Sequence, residues 1–445
     1  METLIMIQLK IQRFRRQLMF SYNLKLALHS FKRAPSLYFL VLLTLSIGVG
    51  LLCANLTLVS SMTGDPIPEK SDKLFHVSMN TWPDDQPQAE PFHILRYREA
   101  IKIAESDIPT HSAVFYASGV YARDSQSKSL QRFDSNVRAT TPGFFALTKA
   151  PFAFGNGFAK SSGMEVVIGD VLNQKIFAGK NSVGEVLELD GELLTIVGVL
   201  KPWSLRPLFY HVTEGRAFNL TDDIYAPLET AIDLGWSIHA RSSSTVSNTG
   251  VQFTRDRDVF YLQAWVELAS KAKQQHFQSY LDNYSQTLKD AGEHPLDIMN
   301  ELRDVNAWLL EQNIVDQKVL AFTLASVLFL CVCVFNASSL LLSRFHSAKF
   351  EVGLRRAVGA SNKQMLMQGI TESVVLGLIA GIISLLLSWL FLKLSISFLP
   401  DLANIAVLKP KLLLLGMLLA LTTSVLSALY PLYRANRYSI SAELK

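Results

Sequence analysis

The chain has 445 residues, 49% hydrophobic and only 18% charged, more apolar material than water-soluble proteins of this length carry. A formal net charge of +4, with no basic face on any predicted folded segment, excludes a nucleic-acid partner. The three cysteines, Cys53, Cys331 and Cys333, all fall in apolar runs, which excludes a disulfide-built domain.

In chain order, residues 1–36 form a basic arm, with Lys10, Arg13, Arg15, Arg16, Lys25, Lys32 and Arg33 against Glu2 alone. Its second part, "SYNLKLALHSFKRAP", mixes Leu24, Leu26, Ala27 and Leu28 with cations, the pattern of an interfacial helix on the inner leaflet before Pro35 redirects the chain. Residues ahead of Met19 read as an extension or an over-long start. Charge-free runs at 37–59, 319–342, 373–392 and 412–433 each reach the roughly 20 residues needed to cross a bilayer, predicting four transmembrane helices. The first follows a long basic arm and lacks a small-residue cleavage site, so it is expected to stay as an anchor. Lys and Arg concentrate in the arm, in the 343–372 loop and in the 434–445 tail, which places those three in the cytoplasm and the 60–318 segment outside.

Residues 60–318 are far too many for a loop and predict a folded mixed α/β domain in two lobes. "PFHILRYREAIKIAES" has helical period and "SAVFYASGVYA" the composition of a strand; "DVFYLQAWVELA" and the helix "SKAKQQHFQSYLDNYSQTLKDAG" repeat the pairing. Between them, residues 164–200 read as a buried strand, a short helix, a turn at Gly179 and a hairpin on Asp190-Gly191. The final approach, "LRDVNAWLLEQNIVDQKVL", keeps helical period through Val305, Trp308, Leu309, Val315 and Val319, predicting one stiff helix into the second span.

The loop "FEVGLRRAVGASNKQM" carries its own grammar. Phe350, Leu354, Ala357 and Val358 share one helical face, and Glu351 and Arg355 form an i,i+4 pair in the favourable order. Gly359 suits a left-handed stop. Ser361 with Gln364 forms a capping box that restarts a helix running into the third span. By itself the segment reads equally as a hairpin on the membrane surface or as a docking element.

Several chemistries have no residues to carry them. "AGKNS" lacks the hydroxyl residue after Lys and the upstream Gly of a P-loop, so no ATP site is expected in this chain. No H-E-x-x-H, Cys-x-x-Cys or G-x-S-x-G occurs and the nine histidines are scattered, so neither a catalytic nor a metal site is expected. Within the spans, Asn55 and Asn336 read as helix-packing groups and Gly377 with Gly381 as a G-x-x-x-G contact. Glu372 reads as a first-turn carboxylate favourable to its helix dipole.

The order "VRATTPGFFALTKAPFAFGNGF" then "VVIGDVLNQKIFAGKNSVGEVLELDGELLTIVGVL", with "GDPIPEKSDKLFHV" after the first span, resembles the periplasmic core domain of MacB-type ABC permeases. Three later spans, the 350–365 loop and "PLYRANRYSISAEL" are similar to the FtsX-like permease domain. The resemblance implies a bacterial inner-membrane permease subunit, paired with a second copy or a related permease, with ATP and Mg bound by a separate ATPase subunit. It further implies export with a periplasmic adaptor and an outer-membrane channel; lipoprotein or lipid extraction, and a membrane sensor with a ligand-binding outer domain, are the alternatives. In FtsX-like permeases the matching loop is the coupling helix that contacts the ATPase. That role falls on Phe350, Glu351, Gly353, Leu354, Arg355, Arg356, Ala357, Gly359, Ala360 and Ser361, with Arg356 standing where a small residue is common. Magnitudes favour the apolar face for such docking: moving a two-state element from 1:99 to 99:1 takes roughly 5.5 kcal/mol. An exposed ion pair contributes about 0 to 1 kcal/mol, whereas burying Phe350 or Leu354 contributes about 1.5 to 3 kcal/mol each.

Overall fold

A computed structural model describes residues 25–435 except 28, 81–89, 127–130, 216, 240, 245–254, 256–258, 294–296, 316, 348–352, 355–357 and 399–407. The chain divides into two compact units, Met62–Ile314 and the residues on either side of it.

Among the described residues, the membrane unit contains four helices long and apolar enough to cross a bilayer: Pro35–Met62, Gln317–Ser347, Asn362–Phe398 and Pro410–Ala435, here spans 1 to 4. The third begins ahead of the apolar run, at Asn362, because the Ser361 cap starts it there. Phe335, Leu386 and Leu414 stand outward and about 70% exposed, as expected where hydrocarbon is the surrounding solvent. Span 1 is the most enclosed: 56% of its apolar window is buried, against 22 to 33% for the others.

Small residues and hydroxyls explain the close helix approach. A Cβ on Gly377 would meet Leu421 Cα at 3.0 Å, and one on Gly381 would meet Met417 Sδ at 2.3 Å, so both halves of the G-x-x-x-G pair lie against span 4. Ser46 donates to the Ala380 carbonyl at 3.2 Å, Ser388 to Gly50 at 3.0 Å and Ser424 to Ser373 at 2.7 Å. Asn55 donates to Ser326 Oγ at 2.5 Å, the interhelical bond its position suggested.

Among the described residues the large domain carries twelve strands: β1 Leu74–Met79, β2 Leu95–Arg96, β3 His111–Asp124, β4 Phe133–Thr140, β5 Phe152–Gly155, β6 Glu165–Ile168, β7 Val186–Leu189, β8 Glu192–Leu200, β9 Ile224–Pro227, β10 Ser243–Ser244, β11 Val259–Glu267 and β12 Asn300–Asp304. Because β7 pairs with both β8 and β3, the strands β3-β4-β9-β6-β8-β7 close into a ring, which leaves no free edge there. The other arm, β12-β1-β11, is an open sheet hydrogen-bonded to the first residues of β3. The two lobes are thus one hydrogen-bonded network hinged on β3, whose residues 111–115 serve the open sheet and 115–124 the ring.

Period-2 alternation fixes the faces. β1 turns Phe75, Val77 and Met79 into one core and Leu74 into the other; β11 does the same with Ala264 and Val266 against Trp265. The β7–β8 hairpin turns on Asp190 and Gly191, both at positive φ (48° and 98°), the geometry of the mirror-image turn that Asp-Gly favours. The helix Lys271–Asp290 starts where Ser270 caps Lys273 N. The helix near residue 91 starts later than periodicity suggests, at Tyr97, because Leu95 and Arg96 pair with β11 instead.

One expectation fails. Residues 300–304 are strand β12, the helix Val305–Glu311 ends in a turn with Asn313 at φ 47°, and the next helix starts at Gln317. The predicted single rod into the second span is therefore interrupted, because Asn tolerates the left-handed conformation that ends a helix.

A buried charge cluster gathers around β4 and the segment before β9. Arg138 on β4 contacts Glu214 Oε1 at 2.9 Å and Asp222 Oδ2 at 3.1 Å, and His211 contacts Asp222 at 3.0 Å and also Glu214. Arg138 lies over the rings of Phe115 and Tyr210. All four charged side chains are essentially inaccessible.

Candidate functional site

The site expected from sequence lies between spans 2 and 3. Of its residues, Gly353, Leu354, Gly359, Ala360 and Ser361 are described; Phe350, Glu351, Arg355, Arg356 and Ala357 lie outside the described residues. Gly353 and Leu354 are helical, and Val358 N donates to the Leu354 carbonyl at 3.1 Å, a helical i to i+4 bond. Gly359 then takes φ 107°, a backbone conformation that side chains with a Cβ resist.

The restart has the reciprocal geometry of a capping box. Gln364 N donates to Ser361 Oγ at 3.3 Å and Ser361 N donates to Gln364 Oε1 at 2.9 Å. The Met365 N to Ser361 carbonyl bond at 3.1 Å begins the helix that continues as span 3. Loss of the cap is expected to destabilise this start by about 1 kcal/mol; Ser361→Ala should speed amide exchange at 362–366 and leave exchange near 380 unchanged. Equal exchange at both places would remove the cap from this account.

Leu354 is 48% exposed and Val358 82% exposed. Both belong to the face predicted to be apolar, so within this chain that face has uncovered hydrocarbon to offer. The arginines of the segment lie outside the described residues, and the apolar pair carries the site's chemistry here.

Immediately beside the loop, three spans are tied together at a point that sequence reasoning misread. Glu372 is not in the first turn of its helix, which begins at Asn362, so the dipole reading fails. Its buried carboxylate instead lies 2.7 Å from Arg344 Nη1 of span 2 and accepts a hydrogen bond from the Tyr38 hydroxyl of span 1. The Arg344 guanidinium also sits over the Tyr38 ring, 4.9 Å from its centre. One carboxylate thereby fixes spans 1, 2 and 3 at the end from which the loop emerges. The signal lay in the sequence as one acid and one arginine flanking apolar runs, but nothing in their spacing joined them.

The family described as MacB-like periplasmic core domain matches residues 38–284, more than half of the chain, and the FtsX-like permease C-terminal family matches residues 323–440. Among solved structures, the periplasmic region of MacB from Actinobacillus actinomycetemcomitans is similar at 13% identity, with 56% of this chain and 96% of that one covered and a TM-score of 0.35. The extracellular domain of the ABC-type transporter YknZ from Gram-positive bacteria is similar at 12% identity, covering 52% and 100%, with a TM-score of 0.33. No curated protein sequence matches the chain.

Proposed function

The chain belongs to the MacB-type, FtsX-like permeases of ABC transporters, and from that premise we propose that it couples ATP hydrolysis by a separate ATPase subunit to movement of its large domain. In this reading the N- and C-terminal segments are cytoplasmic, the large domain is periplasmic, and two permease chains, identical or related, each seat one ATPase. ATP and Mg would be held by the ATPase chain. The work is done on cargo outside the membrane, with a periplasmic adaptor and an outer-membrane channel as further partners.

The observation that carries the docking assignment is the uncovered apolar face at Leu354 and Val358, directly ahead of the capped restart into span 3. A helix docked through that face would pass displacement into span 3 through the Ser361 cap. The Tyr38–Arg344–Glu372 contact would share it with spans 1 and 2, the two that chain continuity joins to the large domain. Since the helix ends at Glu311 and restarts at Gln317, transmission through span 2 crosses a non-helical link at Asn313 and is not that of a single rigid helix.

The test is recovery of the ATPase with this chain from solubilised membranes. Phe350→Ala with Leu354→Ala removes roughly 3 to 6 kcal/mol of potential burial and is expected to abolish co-purification. Undiminished recovery would end the docking assignment.

A further inference from the structure

The large domain holds a second cluster that the permease reading does not use. Glu90, Glu311 and His93 bring one ligand atom each within 4.8 Å of one another. They come from two places: Glu90 and His93 from the segment leading into β2, Glu311 from the end of the helix Val305–Glu311. We propose that these three side chains form a binding site for a divalent transition ion of the Zn2+ class, which ties the segment before β2 to the Val305–Glu311 helix.

The distances suit an ion better than they suit a hydrogen bond. His93 Nε2 lies 3.6 Å from Glu311 Oε1, too far for a good hydrogen bond in either tautomer. Two ligands at 2.0 to 2.2 Å from one tetrahedral ion are about 3.4 Å apart. Glu311 Oε1 is buried and has no hydrogen-bond partner among the described residues. An acceptor left in that condition is costly unless a cation or a proton reaches it.

Ligand orientation is already supplied. His93 Nδ1 lies 3.3 Å from Ser78 Oγ, which in turn lies 3.1 Å from His76 Nδ1. His76 is fully buried, stacks on Trp308 with ring centres 3.8 Å apart, and leaves Nε2 without a partner among the described residues. A metal-bound imidazole characteristically has its other nitrogen held by an oxygen in this way.

Charge points in the same direction. Arg303 contacts Glu311 Oε2 at 2.6 Å and also Glu301, so one cation is shared between two carboxylates and Glu90 adds a third. Arg241, exposed, is a second cation near His93 among the described residues. Burial raises the Glu311 pKa; Arg303 opposes the rise and Glu90 and Glu301 add to it. Burial first, then Arg303, lowers that of His93. One imidazole with two carboxylates selects a borderline ion over Mg2+ or Ca2+, which prefer oxygen alone. Glu90 and His93 also line an open cleft of about 470 Å3 with Phe92, Thr213 and Arg241, through which an ion and its remaining waters can enter.

The test uses the purified full chain in detergent, stripped with chelator and titrated with Zn2+ against a chromogenic competitor. Co2+ provides a visible-absorption readout of four-coordinate geometry. One saturable equivalent is expected, weakened about tenfold or more by His93→Gln and by Glu311→Gln, with Zn2+ raising the unfolding temperature of the parent chain only. Glu90→Gln, at the exposed rim, serves as the variant least able to disturb folding and should weaken binding in the same sense. No saturable binding, or Zn2+ affinity unchanged in Glu90→Gln and His93→Gln, would overturn the proposal.

Discussion

Arg138→Met is expected to destabilise the large domain by about 3 to 5 kcal/mol, the range seen when one partner of a buried ion pair is removed. The reason is what it leaves behind: among the described residues, Glu214 and Asp222, both with buried side chains, would retain His211 as their counter-charge. Burial raises the pKa of each carboxylate, but Arg138 and His211 outweigh burial and hold both below the usual carboxylate range. For His211, burial and Arg138 act downward, and Asp222 with Glu214 more than reverse them, so its pKa is raised. These directions set the sign of the pH dependence. The carboxylates contribute stability above their unfolded pKa values of about 4, and lose it as pH falls through their depressed folded values. His211 contributes fully below its unfolded value of about 6.5 and loses its share as pH rises through the raised folded value. The domain should therefore be most stable between about pH 4.5 and 6.5 as far as this cluster decides. His211→Asn should remove the alkaline decline selectively. Denaturant unfolding followed by tryptophan fluorescence measures both effects. Arg138→Met combined with Glu214→Gln and Asp222→Asn should regain much of the loss, because no unpaired buried charge then remains. A single-variant loss under about 1 kcal/mol would mean the cluster is hydrated in solution.

Glu372→Ala should weaken the membrane unit by a similar amount, about 3 kcal/mol or more. It removes the carboxylate that faces Arg344 and the acceptor of the Tyr38 hydroxyl. Arg344→Met with Glu372→Leu should be much less harmful than either loss alone, since both charges go together. Thermal unfolding of the full chain in detergent separates these cases, and additive behaviour of the two positions would show that they do not interact.

Long-period features were legible in the sequence and long-range pairings were not. The four spans follow from charge-free length alone, and the Asp190-Gly191 hairpin and the Ser361–Gln364 box follow from local chemistry, since every participating residue lies within a few positions. Glu372 was misread because its partners, Tyr38 and Arg344, come from other helices. Arg138, His211, Glu214 and Asp222 look like ordinary surface charges in sequence; only the packing of β4 against the turn before β9 brings them together. The same holds for Glu90, His93 and Glu311, whose separation along the chain conceals any ligand spacing. The break at Asn313 did have a local signal. An Asn at the end of a helical run is a recognised stop, but apolar period continuing through Val315 and Val319 concealed it. Of the docking segment, the stop, the restart and the exposed Leu354 and Val358 are described, while Phe350 is outside the described residues.

The central claim is that a separate ATPase docks on the 350–361 segment, and site-specific photocrosslinking tests it most directly. A photoreactive residue placed at Leu354 in the membrane-embedded full chain should give a single adduct with an ATP-binding subunit. The same probe at Leu386, outward on span 3, should give lipid adducts only. An ATPase adduct from Leu386, or none from Leu354 in membranes where the ATPase co-purifies with the chain, would contradict the account.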